Sequence, residues 1–384
     1  MSGAADAVFL TGCKVVTGGA VVPGMGVLVE GGLIRAVLPE SASPAAVRRS
    51  LPPEGLLAPG LIDIQVNGGG GVLFNDAPSL EGALHIAAAH RRLGTTGILP
   101  TLITSEREVF ARTAAAAREF VVPGSGCLGV HFEGPFLSKA RPGVHLPGLM
   151  RAPDDEDFAL LRGLRAAIEG AVLVTVAPEC APAEAWHRLA RAGVVLSAGH
   201  SVAGYEEVGP SVTGVTHLFN AMETPGARAP GLVAAALLSD RYTGVIVDGV
   251  HVHPAMLRLM MACKAPERVV LVSDSMAVAG TDLTEFVLQG RRILRRDGGL
   301  TTADGVLAGA DLSLAQAVRN AVEMLGVSVA AAVGMASANA AEFLGIGDRY
   351  GRIAAGKVAD MVLFDAAMGV AGTWVEGKVR DVLF

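Results

Sequence analysis

The amino-acid sequence predicts an α/β protein: a closed (β/α)8 TIM barrel with a small β-sandwich domain formed by both termini. Three observations carry this. Short apolar, β-prone runs alternate with helix-like segments through the middle of the 384-residue chain. Several of those runs end in one His, Glu or Asp, where a parallel barrel places its working groups. Both ends of the chain read instead as short strands separated by glycine turns. The length suits a barrel of about 250 residues with a smaller domain attached.

In chain order, strands are expected over Ala7 to Leu10, Lys14 to Val16, Gly26 to Glu30 and Leu33 to Leu38, with hairpin turns at Gly18-Gly19 and Gly31-Gly32. Eight barrel strands follow: Leu61 to Val66, Thr96 to Pro100, Leu128 to Glu133, Val172 to Ala177, Val194 to His200, Gly214 to Phe219, Gly244 to Asp248 and Val269 to Asp274. Helical spacing of apolar residues fills the intervals, as in Leu80 to Leu93 and Phe158 to Ile168. After the eighth strand the pattern breaks. Residues 280–310 read as a β excursion with a turn at Asp297-Gly298-Gly299, expected to cover or line the site, before a helix at Ser313 to Leu325. Strands at Met361 to Phe364, Thr373 to Val375 and Val379 to Phe384 close the chain, the last two flanking Glu376-Gly377. The expected division is 1–57 with 352–384 as the β domain and 58–351 as the barrel, since chain ends often lie close together.

Composition narrows the function. At 51% hydrophobic residues the chain is a core-former, not a disordered one. Charges or Pro/Gly interrupt every apolar run before the roughly 20 residues a membrane span needs. The segment Met1–Asp6 lacks a basic region and a following apolar core, so a cytoplasmic location is expected. A net charge of −6 argues against nucleic-acid binding but not against a small anion held by local Arg and His. Cys13, Cys127, Cys180 and Cys263 form no Cys-x-x-Cys pair and read as reduced, mostly buried thiols.

Glu133 ends the run Val130-His131-Phe132-Glu133, where a lone carboxylate would be costly to bury. His200, His217 and Asp274 end comparable runs. Singly, each has a bland reading: a structural histidine, a carboxylate paired with an arginine. Together, one carboxylate and two imidazoles on strands three, five and six make a catalytic metal site with an open fourth position. Asp274 could stand there as a further metal ligand or as a salt-bridge partner. His131 is left unassigned.

The motifs His131-Phe132-Glu133-Gly134-Pro135-Phe136, Gly199-His200-Ser201, Thr216-His217-Leu218-Phe219-Asn220-Ala221-Met222, Asp248-Gly249-Val250-His251 and Val272-Ser273-Asp274 occur in one order. In this the chain resembles the N-acetylglucosamine-6-phosphate deacetylase family of the amidohydrolase superfamily, over nearly its whole length. Pro59-Gly60-Leu61-Ile62-Asp63 and Gly356-Lys357-Val358-Ala359-Asp360 resemble the superfamily only. The resemblance implies one divalent metal per subunit, zinc first with iron, cobalt or manganese as alternatives, held by Glu133, His200 and His217. Where many relatives carry His-x-His, this chain has Gln65-Val66-Asn67, so a second site at Gln65 and Asn67 would be weak. The resemblance further assigns Asp274 the proton transfer and His145 the acetamido carbonyl. It gives Asn220, Ala221, Arg228 and His251 the sugar phosphate, and Val144, Leu307, Ala308 and Gly309 further substrate contacts. Arg228 also reads as a surface arginine. The implied reaction hydrolyses the acetamide of N-acetylglucosamine 6-phosphate in amino-sugar catabolism, in a homodimer. The rivals are another amidohydrolase activity, such as N-acetylgalactosamine-6-phosphate deacetylation or cyclic-amide hydrolysis, and a non-catalytic scaffold on the same fold.

Overall fold

The computed structural model describes residues 7–42 and 44–382. Met1–Asp6 and the end of the expected last strand, Leu383 and Phe384, lie outside the described residues. Eight parallel strands form one sheet in strict chain order: Leu61–Val66, Thr95–Ile103, Gly129–Glu133, Ala171–Val176, Val195–Ala198, Gly214–Val215, Tyr242–Val245 and Val269–Leu271. They are called barrel strands one to eight below. The ring closes through a parallel bridge between Val66 and Ser275 and a bond from the Asn67 N–H to the Ser275 carbonyl at 2.9 Å. Beneath it, the buried Asp63 carboxylate accepts from the Gln65 and Ser273 N–H groups, both at 3.2 Å.

Every expected barrel strand is present, but strands five to eight stop short of the polar residues said to end them, strand seven at Val245 before Asp248. His200, His217 and Asp274 sit beyond the strands at φ 48°, 29° and 50°. Backbone in the left-handed region cannot continue a ladder and is costly for residues with a Cβ, a cost usually found at functional sites. Within strand three, alternation sends Gly129, His131 and Glu133 inward and Val130 and Phe132 outward. Phe132 meets Phe110 of the helix Arg107–Phe120 at a centroid distance of 4.5 Å.

The terminal domain is two facing sheets. One holds Leu33–Pro39, Met25–Glu30, Val8–Thr11 and Val47–Ser50; the other holds Lys378–Val382, Val370–Val375, Met361–Phe364, Leu56–Pro59, Lys14–Thr17 and Ala20–Val22. Leu10, Val27, Ile34, Leu57, Met361 and Trp374 pack between them. The turns at Gly18-Gly19, Gly31-Gly32 and Glu376-Gly377 have two consecutive positive φ values, as tight hairpins require. Leu56–Pro59 serves both bodies: Leu57 faces the sandwich core, whereas Leu56 and Ala58 join the barrel core.

The excursion is a four-stranded antiparallel meander, Glu285–Leu288, Arg291–Arg296, Gly299–Thr301 and Leu307–Ala310. Leu288, Ile293, Leu300 and Ala308 form a separate apolar cluster with Leu73, Ile103, Val144 and Met276 from the barrel loops. The thiols depart from expectation. Cys13 and Cys127 are buried, but Cys180 is half-buried and Cys263, the last residue of the helix Pro254–Cys263, is exposed. No helix among the described residues is long and apolar enough to cross a membrane.

Candidate active site

At the C-terminal mouth of the barrel, Glu133, His200 and His217 converge. The Oε1 of Glu133 lies 2.9 Å from His217 Nε2 and 3.3 Å from His200 Nε2, and the two imidazole nitrogens are 3.1 Å apart. Donors about 2.0–2.2 Å from a tetrahedral zinc would be separated by roughly 3.3 Å, so the triangle has the right size for one. His200 Nδ1 faces the Arg141 carbonyl at 3.0 Å, which directs its Nε2 lone pair at the triangle. The donor chemistry fits a divalent cation. Glu133, His145 and His200 also offer donors within 4.8 Å of one another, but the set with His217 is tighter.

Gly143 makes room for this arrangement. Its φ is +54°, and a Cβ there would sit 3.1 Å from His200 Cε1. The chain then delivers His145, buried, with its ring centroid 4.5 Å from that of His200. His145 Nδ1 meets the Thr104 hydroxyl at 2.8 Å and the Thr104 N–H at 3.4 Å.

The two amides at the end of strand one are turned toward carboxylates. Gln65 Nε2 donates to Glu133 Oε1 at 3.0 Å, and Asn67 Nδ2 to Asp274 Oδ1 at 2.7 Å. Asn67 Oδ1 is buried without a partner.

One layer below, His131 accounts for its own burial. Its Nε2 pairs with Thr175 Oγ1 at 2.7 Å, and a hydroxyl chain continues through Thr216 to Ser197. Burial holds the His131 ring down at about 4. The same cause, with His200 beside it, takes His145 to about 3. Burial opposes ionisation of Glu133, yet the His200 and His217 rings beside it hold it well below the usual carboxylate range. Asp274 is pushed up to about 6 by burial and by the Glu133 charge.

A cavity of about 230 Å³ joins these groups. Glu133, His145, His200, His217, Asp274 and Asn67 line it with Val144, Asn220, Ala221, His251, Leu307 and Gly309. Strand alternation explains why Ala308 is absent from the wall: it faces the excursion's core while its neighbours face the cavity. Gln65 lies behind Glu133. Arg228 stands on the exposed loop 223–230, away from the cavity wall. His251 Nδ1 is held at 2.6 Å by Asp248 Oδ2. Sequence reading did not single out Thr104, Met276 or Val306, which carry no motif and reach the site only through folding. A larger hollow of about 590 Å³ beside Trp186 has no imidazole in its wall.

Comparison with known proteins agrees with this geometry. The amidohydrolase family model matches residues 56–380. N-acetylgalactosamine-6-phosphate deacetylase of Shewanella sp. (strain ANA-3) is 40% identical, covering 85% of this chain and 83% of its own. N-acetylglucosamine-6-phosphate deacetylase of Haemophilus influenzae is 33% identical over 97% of this chain and 99% of its own. The crystal structure of the Pasteurella multocida N-acetylglucosamine-6-phosphate deacetylase superposes with a TM-score of 0.92 at 33% identity, over 97% of this chain and 99% of that one. The chain belongs to the amidohydrolase family.

Proposed function

We propose that the chain hydrolyses the acetamide of N-acetylglucosamine 6-phosphate, giving glucosamine 6-phosphate and acetate. The observation that carries this is the meeting of Glu133, His200, His217 and Asp274 around one cavity at the barrel mouth. One divalent cation, zinc first, is the reading for the triangle. When bound, it supplies a Lewis acid for the acyl oxygen and a source of nucleophilic water near neutral pH. The chain's own residues do the rest. His145 meets the acyl oxygen. Asp274 takes the proton of the attacking water and returns it to the amide nitrogen, so the C–N bond breaks and the amine leaves neutral. Asn67 holds Asp274 Oδ1, which leaves Oδ2 to carry that proton.

The phosphate reading rests on Asn220, Ala221 and His251, with Arg228 on the loop beyond. Positive φ at Phe219 and Ala221 bends the backbone around Asn220, and Asn220 and Ala221 both line the cavity. A second reading, the 4-epimer N-acetylgalactosamine 6-phosphate, is favoured by the 40% identity to a deacetylase of that name. A homodimer in the cytoplasm belongs to the same proposal. The test is acetate release from both 6-phosphorylated N-acetylhexosamines and from their unphosphorylated forms. Equal kcat/KM with and without the phosphate would overturn the phosphate reading, and no release from any of them would overturn the function.

A further inference from the structure

The excursion after strand eight grips the two chain segments that meet at His145. Its tight turn has Gln289 and Gly290 at φ 48° and 79°, which closes the hairpin in two residues. Gln289 Nε2 donates to the Thr104 carbonyl at 2.7 Å, and an Arg291 guanidinium N–H donates to the Val144 carbonyl. Ile103 and Val144, the residues just before Thr104 and His145, are packed in one apolar cluster with Leu288.

The contacts at the His145 ring have a definite sense. A backbone N–H can only donate, so the Thr104 N–H makes His145 Nδ1 an acceptor and places the ring proton on Nε2. His200 is the converse. Its Nδ1 faces a carbonyl, which can only accept, so Nδ1 carries the proton and Nε2 keeps the lone pair. Two neighbouring imidazoles are thus given opposite tautomers by the backbone, one suited to hold a cation and the other to donate a hydrogen bond. Nε2 ligation by His145 would need the lone pair that its Nδ1 contacts deny.

We propose that Thr104 fixes His145 as the Nε2–H donor and that Gln289 and Arg291 are positioning residues that hold Thr104 and Val144 for that purpose. The proposal rests on the reading that His145 meets the acyl oxygen. The excursion then sets the direction of a hydrogen bond at the reacting group, in addition to walling the cavity. Its expected signature is in turnover more than in binding, because a donor aimed at developing charge contributes most in the transition state.

The test uses the full chain with ¹⁵N-labelled histidine, reading the tautomer of each ring by NMR and assigning His145 by its absence in His145→Gln. The unaltered protein should show His145 as Nε2–H and His200 as Nδ1–H. Thr104→Val should mix the His145 tautomers, with Thr104→Ser restoring them. Gln289→Ala and Arg291→Met should each lower kcat by about 10- to 100-fold with KM little changed, as misplacement of a reacting group does. Arg291→Lys should recover part of the loss. If Arg291→Met does not fold, Gln289→Ala carries the same test, since it removes one half-buried amide and no charge. An Nδ1–H tautomer for His145 in the unaltered protein overturns the proposal, as do Gln289→Ala and Arg291→Met both at full kcat. A shifted tautomer in Thr104→Val with kcat intact upholds the role of Thr104 and overturns instead the contact of His145 with the acyl oxygen.

Discussion

Gln65→Leu is the change that best isolates how this chain holds Glu133, the carboxylate proposed as a metal ligand. The substitution keeps volume and removes one donor, the Nε2 that reaches Glu133 Oε1 at 3.0 Å. That same oxygen faces both His200 and His217, so its direction is part of the donor triangle. Glu133 is 2% exposed, and water cannot replace the lost donor. A hydrogen bond to a buried charged group contributes about 1.5–3 kcal/mol, which corresponds to roughly 10- to 100-fold in affinity. Loss of an outer partner of a ligand costs a similar 10- to 100-fold in metal binding. The two routes agree. The assay is competition for zinc against a chromophoric chelator, with metal content measured on protein purified without added metal. Affinity should fall by that factor while stoichiometry stays at one. An affinity within twofold of the parent would refute the reasoning. A drop in stoichiometry from two to one would instead make Gln65 a ligand of a second ion.

Asp274→Asn should retain metal and KM while kcat falls by about 10²- to 10⁴-fold, because the proposed mechanism routes both proton transfers through this one carboxylate; steady-state kinetics beside metal analysis checks this, and near-normal kcat removes Asp274 from the mechanism. His251→Ala should raise KM for the 6-phosphorylated sugar by roughly 10-fold or more, a charge-assisted bond being lost, and scarcely change the rate on the unphosphorylated sugar. Burial holds His90 below its ordinary value, its Nε2 facing the Gly68 carbonyl at 2.9 Å. Below about pH 6.5 the unfolded chain therefore binds a proton that the folded chain refuses, and stability falls as pH falls. Urea unfolding of His90→Gln from pH 7.5 to 5.5 should show a shallower decline than the parent, and parallel curves would dismiss the assignment.

The barrel was legible because each strand is a short apolar run, a pattern that burial on both faces imposes, and several of these runs are closed by a polar residue. Glu133, His200, His217 and Asp274 could be picked out because buried charge needs a reason. Two sandwich strands could not be seen that way. Val47–Ser50 is exposed at every position and Ala20–Val22 nearly so, and an edge strand with no buried face needs no apolar alternation. The left-handed backbone at His200, His217 and Asp274 was hidden for another reason: such conformations favour glycine, and these positions hold His and Asp instead. Thr104, Gln289 and Arg291 left no trace in the sequence, since their partners are set by how the excursion docks.

The strand Leu56–Pro59 has a consequence for how the molecule is made. Its partner on one side, Lys14–Thr17, is synthesised just before it, but on the other side it pairs with Met361–Phe364. During synthesis its free edge must wait while the whole barrel emerges, at ~5–20 residues per second. Barrel closure then brings the two chain ends together, so the last pairing spans a loop already shortened by folded structure, not one of roughly 300 free residues. Shortening the chain before Met361 would leave a buried-type apolar strand with an open edge, the kind of surface that recruits other chains. The C-terminal strands thus act as a clasp that is fastened last, and a nascent chain stalled in its final tenth would be the aggregation-prone species.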